Sequence, residues 1–251
     1  MAHGGPRPGR ILPRHRVPAD HHRGPAAPGG PRVSAPIRVA VVDDQELFVH
    51  GLRMLLASQP DLVVAGTAHD GEAALALVDR EPLDVVLMDI RMPLLDGLEA
   101  TRRITGGEGA ERTSGPQVIV LTTFRQEEAV FRSLRAGASA FLTKDATPEQ
   151  LLATVRAVAA GDAPPVAADA LVRRFAHVHG ERRPEEVLAA LSPREREIYA
   201  LVAKGLTNAA VAGASFISEA TVKTHVRSIL VKLGLRSRVQ IVVHAYENRL
   251  V

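Results

Sequence analysis

The stretch Val85-Val-Leu-Met-Asp89-Ile-Arg-Met-Pro93 decides the fold, because it joins an apolar run to a single carboxylate. Four consecutive apolar residues bounded by a loop are typical of a short buried strand. Pro93 and Gly97 interrupt regular structure soon afterwards, which predicts a loop after the strand. The sequence therefore predicts that Asp89 lies at the carboxyl end of a buried strand.

Further polar side chains follow other predicted strands at the same kind of position. They are Asp43 and Asp44 after the strand 37–42, Thr122 after the apolar run 118–121, and Lys144 after the strand 140–142. The carboxyl ends of parallel strands meet at one edge of an open sheet, so these side chains are expected to lie near Asp89. Each of them alone has an ordinary explanation as a turn or surface residue. Four such positions in register favour a ligand site.

The chemistry of this set is specific. Three carboxylates that converge on one point repel each other unless they share a divalent cation. A site with few protein ligands and retained waters suits Mg²⁺, which also binds phosphate oxygens. A carboxylate such as Asp89 can act as a nucleophile and form an aspartyl phosphate. Lys144 and Thr122 would then hold two oxygens of the phosphoryl group.

Short apolar runs alternate with amphipathic stretches between residues 37 and 159, as repeated βα units require. The predicted strands lie near 37–42, 62–68, 84–89, 117–121 and 140–142, and the predicted helices near 45–58, 71–80, 97–105, 126–136 and 148–159. Thr147 and Pro148 begin the last of these helices with an N-cap and a first-turn proline. This pattern predicts an α/β fold with a doubly wound, five-stranded parallel sheet.

Residues 37–159 resemble a response-regulator receiver domain, on the motifs quoted above together with Asp96-Gly97 and Phe141-Leu-Thr-Lys144. The resemblance implies a flavodoxin-like fold in which a sensor histidine kinase phosphorylates Asp89. It implies that Mg²⁺ is held by Asp43, Asp44, Asp89 and the backbone carbonyl of Arg91, and that Thr122, Lys144 and Phe141 form the phosphate-binding and switch residues. Many receivers have proline after the lysine. This chain has Asp145, which predicts a trans peptide bond there.

An enzymatic alternative has to be compared with this interpretation. Phosphohydrolases of the haloacid-dehalogenase type also use a strand-end aspartate nucleophile with Mg²⁺, but they carry a second aspartate two residues later as a general acid. Arg91 occupies that position in this chain. We therefore predict a phosphoacceptor protein and not an enzyme.

Composition and charge restrict the function further. The chain has no cysteine, which excludes disulfides and thiolate sites and is compatible with a reducing cytoplasm. No apolar run approaches the ~20 residues that a membrane span requires, so we expect a cytoplasmic protein without a membrane partner.

The charge is distributed unevenly along the chain. Segment 188–251 has nine basic against four acidic residues, whereas segment 37–187 has sixteen against twenty-three. This asymmetry predicts that only the C-terminal part binds a polyanion.

The predicted segments are a tail at 1–36, the receiver domain at 37–159, a linker at 160–187 and a basic C-terminal domain at 188–251. The tail holds eight Pro and six Gly among Arg and His, which predicts disorder. A basic arm or a histidine metal site is an alternative for it. We favour an inert tail, or an upstream extension of a protein that starts near Val33. The linker is expected to hold one helical segment near 167–177, with His177 and His179 on its surface.

Segment 188–251 is predicted to form four short helices. Ser192 and Pro193 begin the first, with Glu195 completing a capping box, and Gly205 ends it. Thr207 caps a second at 208–214. Ser218 opens a third that runs from Glu219 to about Leu233. Its apolar stripe is Val222, Val226, Ile229, Leu230 and Leu233, and its opposite face presents Lys223, Thr224 and Arg227. A short helix followed by a capped helix with a basic outer face is helix-turn-helix geometry.

This segment resembles the LuxR-type domain on Leu191-Ser-Pro-Arg-Glu195, Gly205-Leu-Thr-Asn208 and Ile217-Ser-Glu-Ala-Thr221-Val-Lys-Thr-His225. Residues 37–251 as a whole resemble the NarL/FixJ class of response regulators. The resemblance implies a partner of double-stranded DNA, a homodimer when phosphorylated, and DNA contacts by Lys223, Thr224, Arg227, Thr221 and His225. Where the family usually has glutamate, this chain has Ala210, so the second helix lacks its capping box. Where the family usually has leucine, this chain has Ser215.

Two functions remain to be distinguished. The first is a transcription regulator in which the unphosphorylated receiver hinders the DNA-binding domain. The second is a DNA-binding protein whose receiver no longer signals. The complete set of Asp43, Asp44, Asp89, Thr122 and Lys144 favours the first, because an uncoupled site has no physical need for all five.

Overall fold

The computed structural model describes Met1 and residues 35–106, 115–123, 127–162 and 184–251. The chain divides into two units, Met1–Ser34 and Ala35–Val251, and all elements named below belong to the second. The predicted tail at 1–36 falls outside the described residues except for Met1, Ala35 and Pro36. The predicted helical segment 167–177 and both linker histidines also lie outside them.

Five parallel strands form one sheet in the order β2-β1-β3-β4-β5. The strands are β1 Ile37–Val42, β2 Leu62–Ala68, β3 Val85–Asp89, β4 Gln117–Thr122 and β5 Ala140–Thr143. The central strand β3 is buried along its whole length, because helices cover both faces of the sheet. Near-continuous apolar strands are what such a doubly covered sheet requires.

The helices of this α/β part follow the strands one by one. They are α1 Glu46–Ala57, α2 Gly71–Arg80, α3 Gly97–Ile104, α4 Glu127–Arg135 and α5 Pro148–Ala159. One hydrophobic core lies between the sheet and α1 and α5, and a second lies between the sheet and α2, α3 and α4. The predicted class, order and bounds of these elements are therefore confirmed to within about one residue.

The C-terminal helices are α6 Pro184–Val187, α7 Pro193–Ala203, α8 Asn208–Ser215, α9 Glu219–Leu233 and α10 Arg238–Glu247. The last four pack around a third core, to which Ile198, Val226 and Ile241 contribute fully or almost fully buried side chains. The four helices predicted for 188–251 are confirmed. The prediction missed α6, one helical turn that begins with Pro184 inside the expected linker.

The C-terminal helix α10 is buried on two sides. Ile241 and Ala245 belong to the third core, whereas Val239, Val242 and Val243 belong to the core that contains α4 of the α/β part. An ion pair of 2.9 Å between Arg135 and Glu247 flanks this contact. We call the contact between α4 and α10 the docking interface. Within the unit 35–251, the sheet-containing part contacts the helical part through this interface.

None of the described helices is both long enough and apolar enough to cross a membrane.

Candidate functional site

Three carboxylates meet at the carboxyl edge of the sheet. Asp43 follows β1 directly and is fully buried, and Asp89 ends β3 with 5% of its surface exposed. Asp44 is exposed beside them. One carboxylate oxygen from each lies within 4.8 Å of the others. The parallel strand order therefore brings together the acidic residues that the sequence placed at separate strand ends.

Lys144 is the cation of this cluster. Its Nζ lies 2.6 Å from Asp43 Oδ2 and 3.1 Å from Asp89 Oδ2. The lysine follows β5, where its backbone N–H donates to the carbonyl of Thr122 at 2.8 Å. Its ammonium also lies 4.9 Å from the ring centre of Phe48 on α1, a contact that attracts a cation to the ring face. No motif in the sequence indicated Phe48 as part of this site.

The electrostatics of the cluster favour an additional cation. Burial and, after it, the charge of Asp43 raise the pKa of Asp89, although Lys144 acts in the opposite direction. The buried Asp43 Oδ2 pairs with Lys144 as an ion, but without a hydrogen bond of ordinary geometry. Among the described residues, one ammonium thus lies against this cluster of three carboxylates, and it contacts Asp43 and Asp89. Oxygen ligands in this arrangement fit a divalent cation such as Mg²⁺.

The turn after β3 depends on Gly97. Its N–H donates to the carbonyl of Ile90 at 2.9 Å, and Asp96 caps α3 by accepting from the N–H of Glu99 at 2.8 Å. A Cβ atom at position 97 would lie 1.7 Å from the carbonyl oxygen of Asp89. From the sequence, Gly97 was expected to lie in the loop after the strand and to belong to the receiver-like motif Asp96-Gly97. Its close approach to Asp89 makes it part of the site.

The remaining predicted receiver residues lie around this edge. Thr122 ends β4 and is buried, and its hydroxyl donates to the carbonyl of Thr123 at 3.1 Å. Phe141 on β5 pairs in register with Val120 and is buried in the core that contains α4. Arg91 lies in the loop after β3 and is exposed. Among the described residues all peptide bonds are trans, as predicted for the bond before Asp145.

A second candidate surface lies on α9. Its side chains Val222, Val226 and Ile229 are buried in the third core, and Leu230 and Leu233 are partly buried. The opposite face exposes Thr221, Lys223, Thr224 and Arg227, and His225 is half-buried. Ser218 caps the helix by accepting from the N–H of Thr221 at 3.1 Å. The structure therefore separates an anchoring stripe from an exposed basic face, as predicted.

These features agree with comparisons to known proteins. Residues 39–156 match the response regulator receiver domain, and residues 189–245 match the luxR family of bacterial regulatory proteins. The chain is 39% identical to the uncharacterized transcriptional regulatory protein YxjL of Bacillus subtilis, strain 168, over 86% of this chain and 97% of YxjL. The chain belongs to the response regulators with a LuxR-type DNA-binding domain. Membership in this family is consistent with transcription regulation.

Two further known proteins are similar to the regulator. It is 33% identical to the nitrate/nitrite response regulator NarL of Escherichia coli K12, over 86% of this chain and 97% of NarL. The crystal structure of ChrA, a response regulator in a heme-sensing two-component system, is 35% identical and aligns with 87% of this chain and 100% of its own, with a TM-score of 0.44.

A buried acid links helices α7 and α9 in the DNA-binding domain of the regulator. Glu195 on α7 is 5% exposed, and its carboxylate accepts from Ser228 at 2.6 Å and from Lys232 at 2.7 and 2.9 Å, both on α9. The N–H of Ser192 donates to it at 2.7 Å. The Lys232 contact, followed by Ser228, lowers the pKa of Glu195 to about 2. The sequence predicted Glu195 only as part of a capping box.

We expect Glu195→Gln to destabilise this domain by roughly 1.5–3 kcal/mol, the usual worth of a hydrogen-bonded charged group. The folded-state pKa is below the ordinary value of 4.5, so the stabilisation is complete above pH 4.5 and is lost as the pH falls towards 2. Thermal unfolding of the whole chain between pH 7 and 3 measures both effects.

The surface acid Glu197, which pairs with Arg194, provides the control, and Glu197→Gln should change stability by less than about 0.5 kcal/mol. Equal losses in both variants would contradict this role.

Proposed function

We propose that the regulator is a cytoplasmic transcription regulator, not an enzyme, that is switched by phosphorylation of Asp89 and binds double-stranded DNA as a homodimer. The observation that carries the proposal is the juxtaposition of Asp43, Asp44 and Asp89 with Lys144 at one sheet edge. A DNA-binding protein with a receiver that no longer signals would have no need for this cluster. A sensor histidine kinase is the phosphoryl donor that a receiver domain calls for.

The geometry of the cluster supports phosphoryl transfer to Asp89. An oxygen of Asp89 attacks phosphorus, an O–P bond forms, and the bond from phosphorus to the donor nitrogen breaks. The ammonium of Lys144, already 3.1 Å from Asp89, remains to balance the new charge. Asp43, Asp44, Asp89 and the backbone carbonyl of Arg91 would hold Mg²⁺. The ion supplies charge neutralisation for the carboxylates and the phosphoryl oxygens.

The switch residues link this chemistry to the DNA-binding domain. The hydroxyl of Thr122 moves from the carbonyl of Thr123 towards a phosphoryl oxygen, and Phe141 repacks beside it. Phe141 shares its hydrophobic core with α4 and with Val242 of α10. A rearrangement there changes the docking interface, so phosphorylation can weaken the hold of the receiver on α10.

The exposed face of α9 suits the major groove. Lys223, Thr224 and Arg227 face away from the third core, with Thr221 and His225 beside them. Long cationic side chains bind guanine edges and phosphates. Segment 188–251 has nine basic against four acidic residues, which supports binding to a polyanion. A dimer of such domains would require half-sites spaced near one helical turn of DNA.

The two cations of this face give a separate prediction. If Lys223 and Arg227 contact base edges, Lys223→Ala and Arg227→Ala should each lose roughly 1–3 kcal/mol on the best DNA site and less on a scrambled duplex. If they contact only phosphates, the losses should be similar on both duplexes and the salt slope should fall by about one per contact. Titrations of each duplex at two salt concentrations distinguish these cases. Unchanged affinity on both would remove α9 from the interface.

The test of the whole proposal is DNA selection with the full chain. The regulator is incubated with fragments of its source genome in Mg²⁺, with and without beryllofluoride as a phosphoryl mimic. We expect one enriched sequence class whose recovery rises with beryllofluoride, and no such rise for Asp89→Asn. Enrichment that ignores beryllofluoride would support the alternative of an uncoupled receiver.

A further inference from the structure

An acidic residue just after α5 contacts the basic face of α9. Asp162 follows α5, and its carboxylate lies 3.6 Å from Nζ of Lys223. The same carboxylate accepts a hydrogen bond from the side-chain amide of Asn208, the first residue of α8. Lys223 thus meets an anion of its own chain at the atom proposed to bind DNA.

Asp162 faces more than one positive group. The buried Asn208 also accepts from the guanidinium of Arg238 at 2.8 Å, and Arg238 begins α10. Burial lowers the pKa of Arg238 to about 10, and the charge of Asp162 acts against this decrease. One carboxylate is therefore faced by groups from α8, α9 and α10.

This environment is one that a phosphate would also satisfy. Lysine ammonium groups and side-chain amides, here supplied by Lys223 and Asn208, are the donors that proteins commonly direct at the DNA backbone. The side chain of Lys223 is 44% exposed, so the contact with Asp162 leaves it open to exchange with a competing anion. Because the carboxylate must leave Lys223 before a DNA phosphate can bind there, it lowers DNA affinity by an amount comparable to one electrostatic contact.

We propose that Asp162 is an intramolecular competitor for DNA, because its carboxylate holds the position on Lys223 and Asn208 that a DNA phosphate takes in the complex. The inference rests on the proposed DNA-binding role of α9. It adds to that role a residue outside the DNA-binding domain, one that lowers DNA affinity while the two domains are docked.

The attachment of Asp162 makes the competition dependent on docking. The N–H of Asp162 donates to the carbonyl of Ala157 at 2.8 Å, which fixes the residue to the end of α5. Lys223 belongs to the other domain, which the docking interface holds in place through Val242, Val243 and the Arg135–Glu247 ion pair. Separation of α4 from α10 therefore removes Asp162 from Lys223.

The test uses the full chain, the duplex enriched in the genomic selection and a scrambled duplex of the same length. We expect unphosphorylated Asp162→Asn to bind both duplexes more tightly than wild type by roughly three- to tenfold, as expected when a partly exposed ion pair is lost and a charged hydrogen bond becomes a neutral one. Asparagine keeps an oxygen that accepts from Asn208, so the variant isolates the charge. With beryllofluoride, the difference from wild type should shrink to less than about twofold.

Glu186→Gln is the matched control, because Glu186 is an exposed acid on α6 at the other end of the linker. It should leave both affinities unchanged. An equal gain in this control, or no gain in Asp162→Asn while wild type binds the enriched duplex, would overturn the competitor and leave the proposed function intact. If neither wild type nor variant binds any duplex, the proposed function itself fails and the competitor fails with it.

Discussion

We expect Asp89→Asn to abolish phosphorylation of the full chain, whereas wild type gains one phosphoryl group only when Mg²⁺ is present. Asp89 lies within reach of both the other two carboxylates and Lys144. An amide at this position supplies neither the nucleophilic oxygen nor the negative charge that the site requires. The measurement is intact mass after incubation with acetyl phosphate, with and without Mg²⁺.

Asp145→Asn controls for the loss of a nearby acid. Asp145 follows Lys144 and is exposed, so its replacement should leave the mass gain of one phosphate unchanged. A phosphorylated Asp89→Asn protein would show that another residue accepts the phosphoryl group. Phosphorylation of wild type without Mg²⁺ would instead remove the metal from the proposal.

The sequence predicted the acidic cluster because parallel strands impose a simple geometric rule. Short apolar runs identified β1, β3 and β5, and each run ended next to a charged or polar residue. Strand ends converge in a parallel sheet, so Asp43, Asp89 and Lys144 had to lie close together once the strands were located. The exposed face of α9 was predictable for a similar reason, since helical periodicity alone separates Val222 from Lys223.

Contacts between distant segments were not predictable in this way. Glu195 and Lys232 are separated by 37 positions, and Lys223 meets Asp162, which follows α5. No local pattern encodes such pairs, because each depends on how packed helices are oriented. The capping box at Glu195 was visible in the sequence, but its contact with α9 needed the fold. The burial of Val242 and Val243 against α4 likewise follows only from docking.

Gly97 was predictable in part. The sequence showed a glycine in the loop after β3, but its close approach to the carbonyl of Asp89 was visible only in the fold. We expect Gly97→Ala to destabilise the receiver domain by roughly 3 kcal/mol, at the upper end of the usual cost of overpacking. The new methyl group would lie 1.7 Å from the carbonyl oxygen of Asp89. A backbone atom cannot rotate away as a side chain can. The loop or the end of β3 must therefore move.

That movement reaches the phosphoacceptor directly, because the displaced carbonyl belongs to Asp89 itself. A shift of ~1 Å in a reacting group can cost about a hundredfold in rate, so we expect a loss of this size in Mg²⁺-dependent phosphorylation by acetyl phosphate. Gly51→Ala is the matched control. Gly51 lies within α1, and a Cβ atom there has no neighbour within 4 Å. It should stabilise the helix by roughly 0.5–1 kcal/mol and leave phosphorylation unchanged. A Gly97→Ala protein that melts and reacts like wild type would show that the turn can relax away from Asp89.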